Sequence, residues 1–256
     1  MKPVSYRLIS LVSVIFFFAV WQLASVRGWV DPLLLPSLKD IAITAGELAT
    51  EGYRQVSLWQ SIAVSLARAL SAFAASVVIG IPLGLMMGIS PMLSAILNPF
   101  VQFLRPLPKI ALIPLAVVWL GIGEASKFFL IFIATVLSII VGAVSAVEKI
   151  SPAHIRVART LGATSRQIFL RVILPETLPD LFTTVRLSIG IGWTSLIAAE
   201  MVAADSGLGW MVINASSYLR TDIVMIGILL LGGVGYALDL LLQKLQQVMV
   251  PWAGKE

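Results

Sequence analysis

Hydrophobic positions along this chain gather into long continuous runs, not the alternating or 3.6-residue stripes of a fold half-exposed to water. The runs Leu8–Val26, Trp59–Met87, Lys127–Val147, Leu181–Ala204 and Ile223–Leu242 approach or exceed the ~20 residues that a bilayer core requires of a helix. One further run is broken. Leu93–Leu104 has a helical pattern, Arg105-Pro106-Leu107-Pro108-Lys109 interrupts it, and Ala111–Leu120 resumes, with Pro114 adding another bend. Neither flank spans alone, which favours one broken span over a plain loop between two short segments. Backbone that leaves the helix at membrane depth must be buried in protein or line a cavity, so the break is a candidate pathway or gate. The pattern predicts an all-α integral membrane protein of six transmembrane helices, with residues 1–256 as one six-span domain.

The polar interludes are short. In the segment Arg27–Ser57, Ser37 is an N-cap for an amphipathic helix carrying Leu38, Ile41, Ala45 and Leu48, expected to lie along the membrane face. Gly88-Ile89-Ser90-Pro91 and Gly121 to Ser126 read as turns. A short excursion opens at Asp205-Ser206-Gly207-Leu208-Gly209-Trp210 and ends near Asp222, and the tail runs Pro251 to Glu256. Gly80, Gly84 and Gly88 form two small-xxx-small steps, a pattern for close helix contact. Lys2 and Arg7 ahead of the first run imitate a signal peptide. That run is too long for one, however, and Arg27-Gly28-Trp29 follows without a small-x-small site, so it reads as a retained span.

Composition agrees. The chain is 59% hydrophobic and 12% charged, with a mean hydropathy of +0.98, outside soluble norms. The net charge of +5 does not indicate nucleic-acid binding, because the cations are concentrated in loops, where they set topology. No cysteine and one histidine exclude disulfides, thiolate or histidine-rich metal sites and a cysteine nucleophile. No G-x-x-x-x-G-K-[ST] occurs, and Gly190-x-Gly192 and Gly233-x-Gly235 lie inside apolar runs without a dinucleotide-binding context. Nothing resembles a catalytic constellation.

One interior stretch, Glu148 to Pro179, is rich in charge. It carries Lys149, Arg156, Arg159, Arg166 and Arg171 against two glutamates, with His154. Ser151 and Pro152 start a short helix, Ile155, Ala158 and Leu161 fall on one face, and Gly162 ends it in a left-handed conformation. Thr164 or Ser165 caps a second helix with Ile168, Phe169, Val172 and Ile173 in a stripe, which Pro175 and Pro179 are expected to end. With five cations here, and four carboxylates against three cations in Arg27–Ser57, the positive-inside rule puts both termini and this stretch in the cytoplasm.

The run Ala158-x-x-x-Gly162-Ala163, with Phe169, Val172, Leu174-Pro175 and Pro179, resembles the EAA loop of bacterial ABC-importer permeases. The position of that family's glutamate holds Arg156, followed by Val157, so no contact of that carboxylate carries over. Arg105 to Pro108 with Pro114, Trp119 to Glu124, Gly190 to Trp193, Ala199 to Ala204 and Gly207 to Gly209 are similar to permeases for taurine, alkanesulfonates, nitrate and bicarbonate. The Pro251-Trp252 ending is most similar to the taurine branch, and relatives importing riboflavin or a thiamine precursor share much of the pattern.

The resemblance implies the type I importer fold in the bacterial inner membrane. It implies a dimer of this chain, two cytoplasmic ATPases that hold the ATP and Mg, and an extracytoplasmic substrate-binding protein. It assigns ATPase coupling to Arg156, Ala158, Arg159, Leu161, Gly162, Ala163, Leu174 and Pro175, and binding-protein docking to Asp205, Gly207 and Gly209. Arg68, Arg105, Pro106, Pro108, Lys109, Arg186 and Glu200 are candidates for the translocation pathway. Four cations there against one carboxylate point to anions, the alternatives being snorkelling or a pair with Glu200. An ATP-independent transporter or channel is the rival class, but the inverted repeat it would favour is not evident.

Overall fold

A computed structural model describes residues 4–252; Lys2 and the tail residues Ala253 to Glu256 lie outside them. Among the described residues the regular structure is helical. The first span is α1 (Val4–Val26), followed by α2 (Leu38–Thr50) and α3 (Leu58–Ile89). The broken span is α4 (Pro91–Leu104), a 3-10 turn at Lys109–Leu112, and α5 (Ile113–Leu120). Next come α6 (Glu124–Glu148), α7 (Pro152–Thr160), α8 (Ser165–Ile168), a π-turn at Phe169–Ile173, and α9 (Leu174–Ala203). The chain closes with α10 (Leu208–Ser217) and α11 (Thr221–Met249). Five helical stretches are long and apolar enough to cross a membrane, and there are six if the α4–α5 pair, bent by 94°, is one broken span and not a re-entrant loop.

The centre of the bundle is α3 against α6, and glycine sets their separation. A Cβ on Gly80 would lie 2.9 Å from Ile139 Cγ2, one on Gly84 2.6 Å from Ala143 Cβ, and one on Gly88 2.7 Å from Val147 Cβ. These glycines meet residues four apart on the facing helix, so the two backbones approach over three turns, as small-xxx-small steps allow. Helix α9 packs against α6 as well and touches α3, with Phe73, Ile139, Val185 and Ile189 meeting in one cluster. Helix α11 is joined to it through Trp193, whose indole N–H donates to the Leu231 carbonyl at 3.0 Å.

Helix α1 is held mainly at its end. Its apolar window is 6% buried, the Trp21 indole donates to the Pro36 carbonyl, and Gln22 accepts from the Leu38 amide.

Four expectations change. Helix α2 is capped by Ser37 as predicted, but its apolar face is turned into the bundle. Ile41 and Leu48 join the core with residues of α10 and α11, and Thr44 donates to Asp222 at 2.9 Å. Pro114 stands in the first turn of α5 and opens it instead of bending it, since a first-turn residue has no amide partner to lose.

Helix α10 occupies the excursion after residue 204, and its signal was present: Leu208, Met211, Val212 and Ala215 follow helical spacing. Finally, Pro175 and Pro179 end nothing. Residues 165–202 form one 38-residue helical stretch. A proline crowds the carbonyl four residues back. For Pro175 that is Arg171, inside the π-turn, where the ladder widens and the Leu174 amide bonds instead to the Phe169 carbonyl.

Candidate functional site

The elbow between α6 and α9 is built by local bonding. Ser151 caps α7, and Pro152 occupies its first turn. At the far end Gly162 has φ +80°, its amide donates to the Arg159 carbonyl at 3.0 Å, and the Ala163 amide reaches back to the Ala158 carbonyl at 3.0 Å. That is a Schellman closure, in which Gly162 takes the left-handed position and Ala163 closes back on Ala158. Ala158 and Ala163 pack together with Ile155 over buried Ile150, Ile168 and Ile173. Thr164 then starts α8 through a full capping box with Gln167.

Two side-chain contacts clasp the elbow to the base of α9: a hydrogen bond between His154 Nδ1 and Glu176 at 3.1 Å and an ion pair of Lys149 with Asp180 at 3.0 Å. What remains outside is a knob. Leu161 is 82% exposed, beside exposed Val157, Arg156 and Arg159. Leu174 and Pro175 are not on that knob. They stand in the continuous helix behind it, with Leu174 packed towards Ala146 and Leu181.

At the opposite end of the bundle lies an ion cluster. Arg68 of α3 holds Glu124, the first residue of α6, through two parallel bonds of 2.7 and 2.6 Å. Its remaining nitrogen donates to Glu200 of α9 at 2.8 Å and to the Ser206 carbonyl at 2.7 Å. Lys127 adds a 3.0 Å bond to Glu124. Glu200 is wholly buried and fully bonded: Ser65 donates to it at 2.8 Å and the Gly209 amide at 2.9 Å, at the N-terminus of α10.

Gly207 and Gly209, expected at a docking surface, are buried here. Gly207 has φ +116°, and a Cβ on it would collide with the Glu200 carboxylate. Only Asp205 of that trio is exposed. A cavity of about 550 Å³ opens beside Arg68, Glu124 and Phe128.

The remaining intramembrane cations divide. Arg186 is paired with Asp239 of α11 at 3.1 and 2.9 Å. The single-carboxylate count from sequence therefore fails, because Glu124 and Asp239 also belong to the set. Glu124 follows directly on the turn before α6, and Asp239 lies within the apolar run of α11.

Among the described residues, Arg105 and Lys109 have no such carboxylate. Pro106 and Pro108 supply no amide to continue α4, and Lys109 Nζ fills the gap, donating to the carbonyls of Leu104, Arg105 and Leu107 at 3.1, 2.7 and 2.9 Å. Cations suit a helix C-terminus, where carbonyls are left over. Both residues line a cavity of about 470 Å³ with Ser145 of α6 and Thr184, Leu187 and Ser188 of α9.

Comparison with known proteins gives consistent matches. The family model described as binding-protein-dependent transport system inner membrane component matches residues 80–251. The taurine transport system permease protein TauC of Escherichia coli (strain K12) is 38% identical over 96% of this chain and 90% of its own. A candidate aliphatic sulfonates transport permease protein, SsuC, from the same strain is 36% identical over 91% and 88%. The bicarbonate transport system permease protein CmpB of Synechocystis sp. (strain ATCC 27184 / PCC 6803 / Kazusa) is 29% identical over 92% and 86%. Among solved structures, a chain from inward-facing conformations of the MetNI methionine ABC transporter superposes with a TM-score of 0.64 at 22% identity, covering 76% of this chain and 94% of that one.

Proposed function

This chain belongs to the binding-protein-dependent transport system inner membrane component family, and from that premise we propose that two copies form the path by which a small organic sulfonate, taurine first, enters a bacterial cell. The substrate follows from the 38% identity to TauC over nearly the full length of both chains. The assembly includes two cytoplasmic ATPases that bind ATP and Mg and a substrate-binding protein outside, with both termini and the elbow inside. This chain itself carries out no hydrolysis.

The observation that carries the reading is the elbow: a Schellman-closed helix that leaves Leu161 bare among basic side chains and is fused to a membrane span. Burying Leu161 in a partner's groove would contribute roughly 1.5–3 kcal/mol. Arg156 and Arg159 would meet acidic side chains at its rim, a pairing that aids orientation more than affinity. Closure of the ATPases on ATP displaces the elbow. The Lys149–Asp180 and His154–Glu176 clasps and the unbroken backbone from Ser165 carry that displacement into α9. Helix α9 bears Ser188, which lines the inner cavity, and Glu200 in the outer cluster, so one movement bears on both ends of the path. Coupling of this kind needs an element with two defined positions, and a short capped elbow supplies it.

The test is ATP hydrolysis by the reconstituted complex with its binding protein, offered taurine, other sulfonates, nitrate and bicarbonate in turn. Stimulation by taurine together with uptake supports the reading. Failure of an ATPase chain to co-purify, or stimulation by nitrate or bicarbonate alone, refutes it.

A further inference from the structure

Among the described residues, Arg68, Lys127 and Arg186 each meet a carboxylate, whereas no Asp or Glu lines the cavity at the broken span. Lys109 is bonded to carbonyls, which accept its hydrogens without cancelling its charge. The Arg105 side chain is exposed and has no hydrogen-bond or ion-pair partner among the described residues. An ionisable group at membrane depth is costly unless it faces a polar interior. Two positive charges held together without a counter-charge therefore mark a place where an anion belongs.

The hydroxyls agree. A serine or threonine inside a helix usually returns its hydroxyl to a carbonyl three or four residues back. Ser138, Thr183, Thr194 and Ser195 do so. Ser145, Thr184 and Ser188, all on the cavity wall, make no side-chain hydrogen bond among the described residues. Ser188 is 1% exposed, so the cavity, not lipid, is what its hydroxyl can meet. Thr184 is pressed against Gly142, where any Cβ would overlap it, and this close contact of α6 and α9 sets two of the walls.

We propose that this cavity is an oxyanion site that holds the sulfonate head of the solute within the membrane. The proposal rests on the importer reading. Arg105 approaches from the break, Ser145 from α6, and Thr184 and Ser188 from α9. Donors on three walls match a tetrahedral head with three equivalent oxygens better than planar nitrate or bicarbonate, and Leu187 gives a short alkyl stem an apolar surface. A volume of about 470 Å³ admits a small ligand with its remaining water. Arginine suits the task because its charge is permanent and its fork can bind two oxygens at once.

Binding is measured by calorimetry on the complete transporter in lipid nanodiscs, with methanesulfonate and taurine as probes and uncharged methanesulfonamide, nitrate and bicarbonate as comparisons. Uptake is measured in parallel. Methanesulfonate should bind the wild type and methanesulfonamide should not. Arg105→Gln should weaken binding by about tenfold or more, the loss expected for one charge-assisted hydrogen bond, with uptake falling alongside. Ser188→Ala should weaken it by a smaller factor, and Arg105→Lys should restore part of it, which excludes misfolding as the cause. Unchanged binding and uptake in Arg105→Gln, or no binding by the wild type, overturns the site. Nitrate competing as well as methanesulfonate overturns the sulfonate assignment. Arg105-dependent binding of methanesulfonate without any sulfonate uptake leaves the site standing and defeats the transport reading instead.

Discussion

The cluster around Arg68 and the cavity at the broken span draw on the same residue types and treat them in opposite ways. Around Arg68, two cations meet two carboxylates, and Ser65, Gly209 and Ser206 satisfy the remaining bonds. Around Arg105, two cations meet carbonyls and unengaged hydroxyls. The first arrangement fastens α3, α6, α9 and the start of α10 to one another, while the second leaves a charge available. An arginine in a membrane span therefore has no fixed meaning; its counter-charges decide whether it serves the fold or a ligand.

The largest effect is expected where compensation is complete. Arg68→Ala leaves Glu200 buried without its cation, a change of about 3–5 kcal/mol in other buried pairs. It should reduce the yield of monodisperse protein and lower the melting temperature in detergent. A double change, Arg68→Met with Glu200→Gln, should recover part of that loss, and no recovery would mean the cluster is not the unit described.

Gly162→Val comes next. Nothing lies within 4 Å of a Cβ there, but φ is +80°, so the cost is backbone strain of about 1–2 kcal/mol confined to the elbow. Membrane insertion and melting of both charged regions should be unaffected, with ATP hydrolysis no longer tied to uptake. Gly162→Asn, which tolerates this conformation, should keep the coupling.

Arg186→Ala sharpens the contrast from the middle: its pair with Asp239 is single and partly exposed, so the melting temperature should fall by a fraction of the Arg68→Ala loss. Smallest of all, Arg105→Gln should leave stability within about 0.5 kcal/mol of the wild type, as for exposed sites without structural partners. A large drop in its melting temperature would erase the distinction between the two regions.

Much of this architecture was legible in the residues because it is locally determined. Run length gave the spans, Ser37, Ser151 and Thr164 capped their helices as expected, and Gly80, Gly84 and Gly88 met α6 as their spacing implied. The break at Arg105–Lys109 was evident because Pro106 and Pro108, only two positions apart and between charged residues, remove two amides from a single turn of the ladder. What escaped was set by tertiary contacts. Glu124 and Asp239 lie 56 and 53 residues from the arginines they neutralise, a separation no local pattern encodes. Gly207 and Gly209 resembled surface-loop glycines until Glu200 was seen to fill the space beside them. Pro175 does not stop the helix because proline as a stop signal assumes a regular α-helix, and the π-turn before it relaxes that assumption; Pro179 stands inside α9 with no such relief.

The 38 residues from Ser165 to Val202 amount to a rod about 57 Å in contour at 1.5 Å per residue, nearly twice the thickness of a bilayer core. In the proposed importer, the end of the rod that carries the elbow is the one that projects beyond the headgroups, within reach of a soluble ATPase. A sideways push of about 5 Å at that end tilts a rod of this length by about 5°.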